Sequence, residues 1–443
     1  MNSQWFSCLA PTALIWILAI AARIHTRSWT HPATIFPLVW ALHTLTPMVF
    51  APALPIYSSG LWYIAVMCFA VLCGALLPGD QRSASSNQVP AGHLYDYLRS
   101  NVLRPLSIVT LCSLPVGMLY CYLTLAPPGQ SAGNLLSIES IAKLASANSV
   151  LRYTYTNYRP DLFTQFISSA VYFAPALGGI IYALRRTKSD TLLACATLLP
   201  AICVAVTQTT KASVLLSGVF WLATYIACTE YTGHRPATTR ILAGALLSLI
   251  LLACLLGGAE ALRGGDVPTV EAMSDALSSE RAQTAVLGDL VVFSQWYDQS
   301  FDSQAQATYG TLTFAGPADF LGLQTREAGV YTQSLEVGTE GSESNVYTYV
   351  RGLIQDFTLF GALLALFVAG LGGGSAYRAA HAHSLAAMPV LAAFYAFSIW
   401  YLISIFSYNS VIVALAGLAV CWWLAIRGYR SHLGMRIAGI TRA

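Results

Sequence analysis

Apolar runs of about twenty residues recur from one end of this chain to the other, and no other feature restricts its fold as strongly. They lie near 5–22, 34–54, 60–78, 105–125, 162–184, 190–206, 212–229, 241–257, 350–371, 387–407 and 409–426. A helix needs about 20 mostly apolar residues to cross a bilayer. The runs are continuous rather than alternating, so they read as helices and not as barrel strands. Charged residues make up 10% of the chain, against about 25% in an ordinary soluble domain. That excludes a soluble enzyme with a single anchor. The expected fold class is all-α, a polytopic transmembrane helical bundle of about eleven spans. Pro37, Pro47, Pro52 and Pro55 interrupt the second run, which is therefore expected to be kinked or re-entrant. No basic stretch or small-residue cleavage site surrounds the first run, so it reads as a retained helix rather than a signal peptide.

The runs divide the chain into N-terminal helices (1–125), a first loop (126–161), central helices (162–257), a long loop (258–349), and C-terminal helices with a tail (350–443). Threading eleven spans puts 15 basic and four acidic residues (Asp80, Asp96, Asp190, Glu230) in the loops of one side. The other side holds 8 basic and 16 acidic residues. The positive-inside rule makes the first set cytoplasmic. The N-terminus and both sizeable loops are then outside and the C-terminus is inside.

All ten cysteines fall in or beside apolar runs, where they read as small packing residues rather than disulfides. No Cys/His spacing suggests zinc, and neither a cofactor nor a nucleic-acid partner is expected. His381 and His383 read as solvated loop residues. Asp298 and Asp302, four apart, are a weak candidate for sharing a cation.

The first outside loop contains SIESIAKLASANSVL, with Ser137 as N-cap and Ile138, Ile141, Leu144, Ala145 and Val150 at helical spacing. It reads as a short helix lying on the membrane or on the bundle. RYTYTNYRP follows, placing Arg152, Tyr153 and Arg159 together. The bland reading is an interfacial belt. The functional one is a cationic, aromatic-rimmed site for a phosphate and a sugar.

The long loop carries 13 of the 20 acidic residues, and it is far longer than a connection requires. Its segment 281–297 has an apolar face and is expected to form a surface or re-entrant helix. Arg281, Arg326 and Arg351 stand in the loop or at its exit, and Lys211 opens the seventh run. These cations would suit phosphate oxygens near the lipid headgroups. Asp356, inside the ninth run, is a functional candidate because an intramembrane carboxylate is costly. A basic partner for it is expected on another helix. Neither outside loop contains a histidine, so an outside general base would have to be a carboxylate.

Several local patterns carry a resemblance. These are Arg152–Tyr153 after the surface helix, Thr-Lys-Ala at 210–212, and YGTLTFAGPADFLGL at 309–323. The most specific is ESNVYTYVRGLIQDFTLFG at 343–361. In these the chain resembles the Wzy-type oligosaccharide repeat-unit polymerases. That family's pattern is Asn-x-Tyr-Thr followed by Asp-Phe-Gly-x-x-Gly, and Thr358 stands where its first glycine would be.

The resemblance implies a glycosyltransferase working on undecaprenyl-diphosphate-linked oligosaccharides at the periplasmic face of the bacterial inner membrane, with a flippase and a chain-length regulator as partners. On that reading Arg152, Arg159, Lys211, Arg281, Arg326 and Arg351 would bind diphosphates. Glu343 or Asp356 would orient or deprotonate the acceptor, with Arg351 stabilising the leaving group. Asn345, Tyr347 and Tyr153 would contact sugar. Three alternatives are an O-antigen ligase, which would want a histidine in the long loop, a GT-C type transferase, which would want an acid near 55–60, and a lipid-linked oligosaccharide flippase.

Overall fold

The computed structural model describes residues 3–79, 91–125, 140, 143–148, 161–208, 210–234, 257–258, 269–271, 273–274, 280–302, 306–324, 331, 333–337, 343–384 and 386–440. The protein is an all-α polytopic bundle. Nine helices among the described residues are long and apolar enough to cross a membrane. In chain order come α1 (Ser3–Thr26), α2 (Pro32–Phe50) and α3 (Ser58–Leu76). Next is α4 (Ala91–Tyr97), which runs through a π-helical turn (Leu98–Val102) into α5 (Leu103–Leu123). The central group is α6 (Leu162–Ser168), α7 (Ala170–Leu184), α8 (Lys188–Ala196), α9 (Leu199–Gln208) and α10 (Lys211–Thr232). From the long loop come α11 (Glu280–Gln295), a second π-helical turn (Trp296–Ser300) and the short α12 (Ala315–Phe320). The chain closes with α13 (Tyr349–His381), α14 (Ala387–Ile399) and α15 (Asn409–Ile440).

The run at 34–54 forms one 19-residue helix with Pro37 and Pro47 inside it, not a re-entrant segment. Pro32 occupies its first turn, where no amide is needed, and the His31 ring Nδ1 accepts from the Ala33 amide. The run at 387–407 behaves differently. Its helix ends at Ile399, and the chain continues extended to a 3₁₀ turn at Ile405–Ser407. Such irregular backbone is tolerated at depth only where protein buries it, and Trp400, Ile403 and Ile405 are all buried. The run at 241–257 lies almost wholly outside the described residues.

Elsewhere, local chemistry sets the ends of the helices. Asp161 caps α6 by accepting from the Thr164 amide and hydroxyl. The Thr164 amide, then its hydroxyl, lower the Asp161 carboxyl below its usual value. Thr187 and Asp190 form a reciprocal capping box on α8.

The most extensive packing is between α13 and α3. A Cβ at Gly74 would meet the Phe367 carbonyl, and one at Gly370 or Gly374 would meet the carbonyl of Val71 or Ala75. Small residues let these two helices approach backbone to backbone, as apolar helices do when packing rather than water drives association.

Residues 143–148 are helical, as expected of the first loop, with Leu144 and Ala145 buried. Their helix docks on the bundle, where the Asn148 amide donates to the carbonyls of Leu125 and Thr207. The expected loop helix at 281–297 exists as α11, but it is not a surface element. Leu290, Val291, Val292 and Phe293 are fully buried, and α11 packs on α2 and α3.

At the opposite end of α13, His381 and His383 are not merely solvated. His381 lies 3.5 Å from the buried Glu230 carboxylate. His383 is hydrogen-bonded through Nδ1 to the Tyr231 carbonyl at 3.0 Å. The nine described cysteines are free thiols.

Candidate functional site

Arg351 lies in the first turn of α13, which Thr348 precedes as N-cap. That is the positive end of the helix, where a cation is disfavoured. The residue is also 4% exposed. Its guanidinium carbon sits over three aromatic rings, 4.0 Å from the Tyr347 centroid, 4.5 Å from Tyr331 and 4.9 Å from Trp296. Nη2 donates to the Gln333 amide oxygen at 2.8 Å, and Nε donates to that of Gln355 at 3.2 Å. Nη1 is buried and has no acceptor among the described residues.

The cage is itself braced. Asn345 donates to the Tyr331 carbonyl at 3.2 Å, and the Tyr347 hydroxyl donates to the Gln333 carbonyl at 3.0 Å. Burial pushes both phenols, Tyr331 and Tyr347, above their usual value, and the neighbouring guanidinium opposes this only in part. The rings therefore stay neutral and supply faces rather than a counter-charge. Cation–π contacts contribute roughly 1–2 kcal/mol each when desolvated. Desolvating the cation costs several kcal/mol. No carboxylate pairs with Arg351 among the described residues, so the arrangement is complementary to an anion that those residues do not provide.

Arg351 opens onto a cleft of about 420 Å³, within the ~300–1,000 Å³ range usual for ligand sites. Trp296, Phe301 and Phe360 give it aromatic walls, Gln306, Gln333 and Gln355 give it amides, and Ser300, Thr308 and Thr358 give it hydroxyls. Asp302 and Arg351 are its charged lining residues.

Thr358 marks a break in α13. Its φ of 65° and ψ of 174° are non-helical, in a region that only glycine occupies without strain. This is the position where the sequence pattern led to an expectation of glycine. A helix break leaves the carbonyls before it without helical donors. Here the amides of Thr308 and Tyr309 donate to the carbonyls of Gln355 and Asp356 at 3.0 and 3.1 Å.

Asp356 takes a different part from the one its sequence suggests. It is fully buried, and its oxygens accept from the Thr308 hydroxyl (2.5 Å), the Leu312 amide (3.1 Å) and the Thr313 amide (2.6 Å). Among the described residues it has no basic partner on another helix. Amide and hydroxyl dipoles satisfy it instead, and the carboxylate straps residues 308–313 onto α13. Ser407 secures the same segment by donating to the carbonyls of Leu312 and Thr313.

Glu343 is exposed, on a two-residue strand paired with Leu335–Glu336, where it accepts from the Ser334 hydroxyl at 2.6 Å. It does not line the cleft. Asn345 and Tyr347 do not line it either, and both serve to hold the cage. Asp298 accepts from the Ser59 hydroxyl at 2.7 Å, and no metal-holding group occurs among the described residues. Lys211 and Arg281 lie on α10 and α11, with side chains outside the description. Arg152, Tyr153, Arg159 and Arg326 lie outside the described residues altogether.

Reading the sequence missed Trp296, Tyr331, Gln333 and Gln355 as parts of the site. Of these, Gln355 alone had a local signal, one helical turn after Arg351. No protein-family model, curated protein or solved structure matches the chain.

Proposed function

We propose that this protein is a membrane glycosyltransferase that polymerises undecaprenyl-diphosphate-linked oligosaccharide repeat units at the periplasmic face of a bacterial inner membrane. The observation that carries the reading is Arg351, a buried, aromatic-caged guanidinium that lines a cleft and has one nitrogen without an acceptor among the described residues. A diphosphate supplies the missing negative charge. As the diphosphate departs from the donor sugar, a fixed cation stabilises the charge that develops on it. The aromatic walls and side-chain amides beside Arg351 suit sugar rings and hydroxyls. Sugar contact on this reading falls to Trp296, Gln306 and Gln355 rather than to Asn345 and Tyr347. The acidic, histidine-free long loop and the resemblance of residues 343–361 to the polymerase pattern support the same assignment.

A second reading draws on the break at Thr358. Interrupted spanning helices at binding sites are a device of transporters, and a flippase for lipid-linked oligosaccharides would use one. The two readings separate in one experiment. The purified protein is reconstituted with an undecaprenyl-diphosphate repeat unit and no nucleotide sugar, and the products are resolved on a gel. A ladder of added repeats supports the polymerase. Movement of unextended substrate across the bilayer, with no ladder, supports the flippase.

A further inference from the structure

We infer that Gln333 and Gln355 make this site selective for a diphosphate by holding Arg351 in place without neutralising it; the inference rests on the diphosphate-binding reading above. A guanidinium carries N–H donors and no acceptor, so each glutamine must meet it through its amide oxygen. Nη2 donates to the Gln333 Oε1 at 2.8 Å, and Nε donates to the Gln355 Oε1 at 3.2 Å. Those two nitrogens form one edge of the planar fork, on which a carboxylate would sit as a bidentate partner. The glutamines take that edge from two elements, Gln355 from α13 and Gln333 from the stretch just before the strand Leu335–Glu336.

Both positions are anchored through the backbone. The Tyr347 hydroxyl donates to the Gln333 carbonyl at 3.0 Å. The Thr308 amide and hydroxyl donate to the Gln355 carbonyl at 3.0 and 3.2 Å. Both side chains line the cleft together with Arg351. With each Oε1 committed to the guanidinium, each Nε2 remains a donor, so the clamp brings N–H groups to the cleft and no negative charge.

Glutamate has the shape of glutamine, and at either position it would discharge a cation that is only 4% exposed. A buried charge left without a counter-charge is costly, so a carboxylate here would favour stability. Amides at both positions orient the cation and leave its charge for a ligand, a trade of stability for function. They also set the class of ligand. A polyprenyl diphosphate gains from the uncompensated charge, and an uncharged polyprenol does not.

The test uses full-length protein in detergent, titrated with undecaprenyl diphosphate and separately with undecaprenol. Binding is read from tryptophan fluorescence, and thermal unfolding is measured without ligand. Wild type is compared with Gln333→Glu, Gln355→Glu and Gln333→Leu. In each Glu variant the two readouts should move apart. The melting temperature should equal or exceed that of wild type, while affinity for undecaprenyl diphosphate falls about ten- to hundredfold and affinity for undecaprenol is unchanged. Gln333→Leu removes an acceptor and supplies no charge, so it should melt earlier and lose less diphosphate affinity than Gln333→Glu. Diphosphate affinity within about threefold of wild type in either Glu variant would overturn the inference and leave the diphosphate reading intact. So would a lower melting temperature with loss of binding to both lipids, the result that a purely structural role predicts. A wild-type protein that binds undecaprenol as tightly as undecaprenyl diphosphate would overturn the diphosphate reading, and the inference with it.

Discussion

His43 and Asp289 are 246 positions apart in the chain, yet their side chains meet at 3.0 Å in the core. Both are at most 4% exposed, and the Tyr401 ring stacks on the imidazole with centroids 3.7 Å apart. The pair fastens α11, a helix of the long loop, to the spanning helix α2. Because Trp296 follows α11 directly, the pair also fixes one wall of the Arg351 cage. A histidine that the sequence assigns to a span thus reaches a loop that contains none of its own.

Removing one partner of this pair strands the other in an apolar interior. His43→Leu should destabilise the protein by about 3 kcal/mol, the order seen when a buried pair is broken from one side. The double variant His43→Leu/Asp289→Leu should recover a large part of that loss. Thermal unfolding of the detergent-solubilised protein reads both. A loss in the double variant equal to the sum of the losses in His43→Leu and Asp289→Leu would show that the two side chains are not coupled.

Arg351→Lys keeps the charge but gives up the planar fork that meets Gln333, Gln355 and the three rings together. A charge-assisted hydrogen bond is worth about 1.5–3 kcal/mol, so affinity for the lipid-linked diphosphate should fall about ten- to hundredfold. Arg351→Met should bind more weakly still, yet be at least as resistant to heat as wild type, because it no longer desolvates a cation. A Met variant that binds normally would sink the assignment of Arg351.

Thr358→Gly should stabilise the protein by about 1 kcal/mol. Releasing a β-branched residue from this backbone region yields roughly 1–3 kcal/mol, and the extra freedom of glycine when unfolded takes back about 0.5–1 kcal/mol. Ladder formation should persist, since the break in α13 is kept. A lower melting temperature for the glycine variant would contradict the strain at this position.

Tyr331 and Tyr347 predict how stability responds to base. Burial raises both phenols above the usual value of 10.0. Between that value and the folded one, the unfolded chain loses these protons first. Stability is therefore fully present below about pH 10 and falls as pH rises above it. Tyr331→Phe should flatten the alkaline part of an unfolding curve and leave the neutral part unchanged in slope. An alkaline limb as steep as wild type's would assign the effect to other groups.

The bundle was legible in the sequence because a spanning helix advertises itself over twenty consecutive residues. The ends of helices and the irregular stretch after Ile399 were less so, since burial by distant partners decides them. At the site, Arg351 and the break at Thr358 were legible from one local pattern. The cage was not, because Trp296 comes from one stretch of the long loop and Tyr331 and Gln333 from another. Asp356 was legible as an intramembrane acid, but its partners were not. Nothing local shows that amides from residues 312 and 313 will satisfy it.

The break at Thr358 also separates two mechanical jobs within one helix. The N-terminal piece of α13, carrying Arg351, is tied through Asp356 to Thr308, Leu312 and Thr313 of the preceding loop. The C-terminal piece is seated against α3 through Gly370 and Gly374. The part of α13 that holds the guanidinium against its rings and the part that packs on α3 therefore meet at one non-helical residue, and neither helical segment dictates the direction of the other.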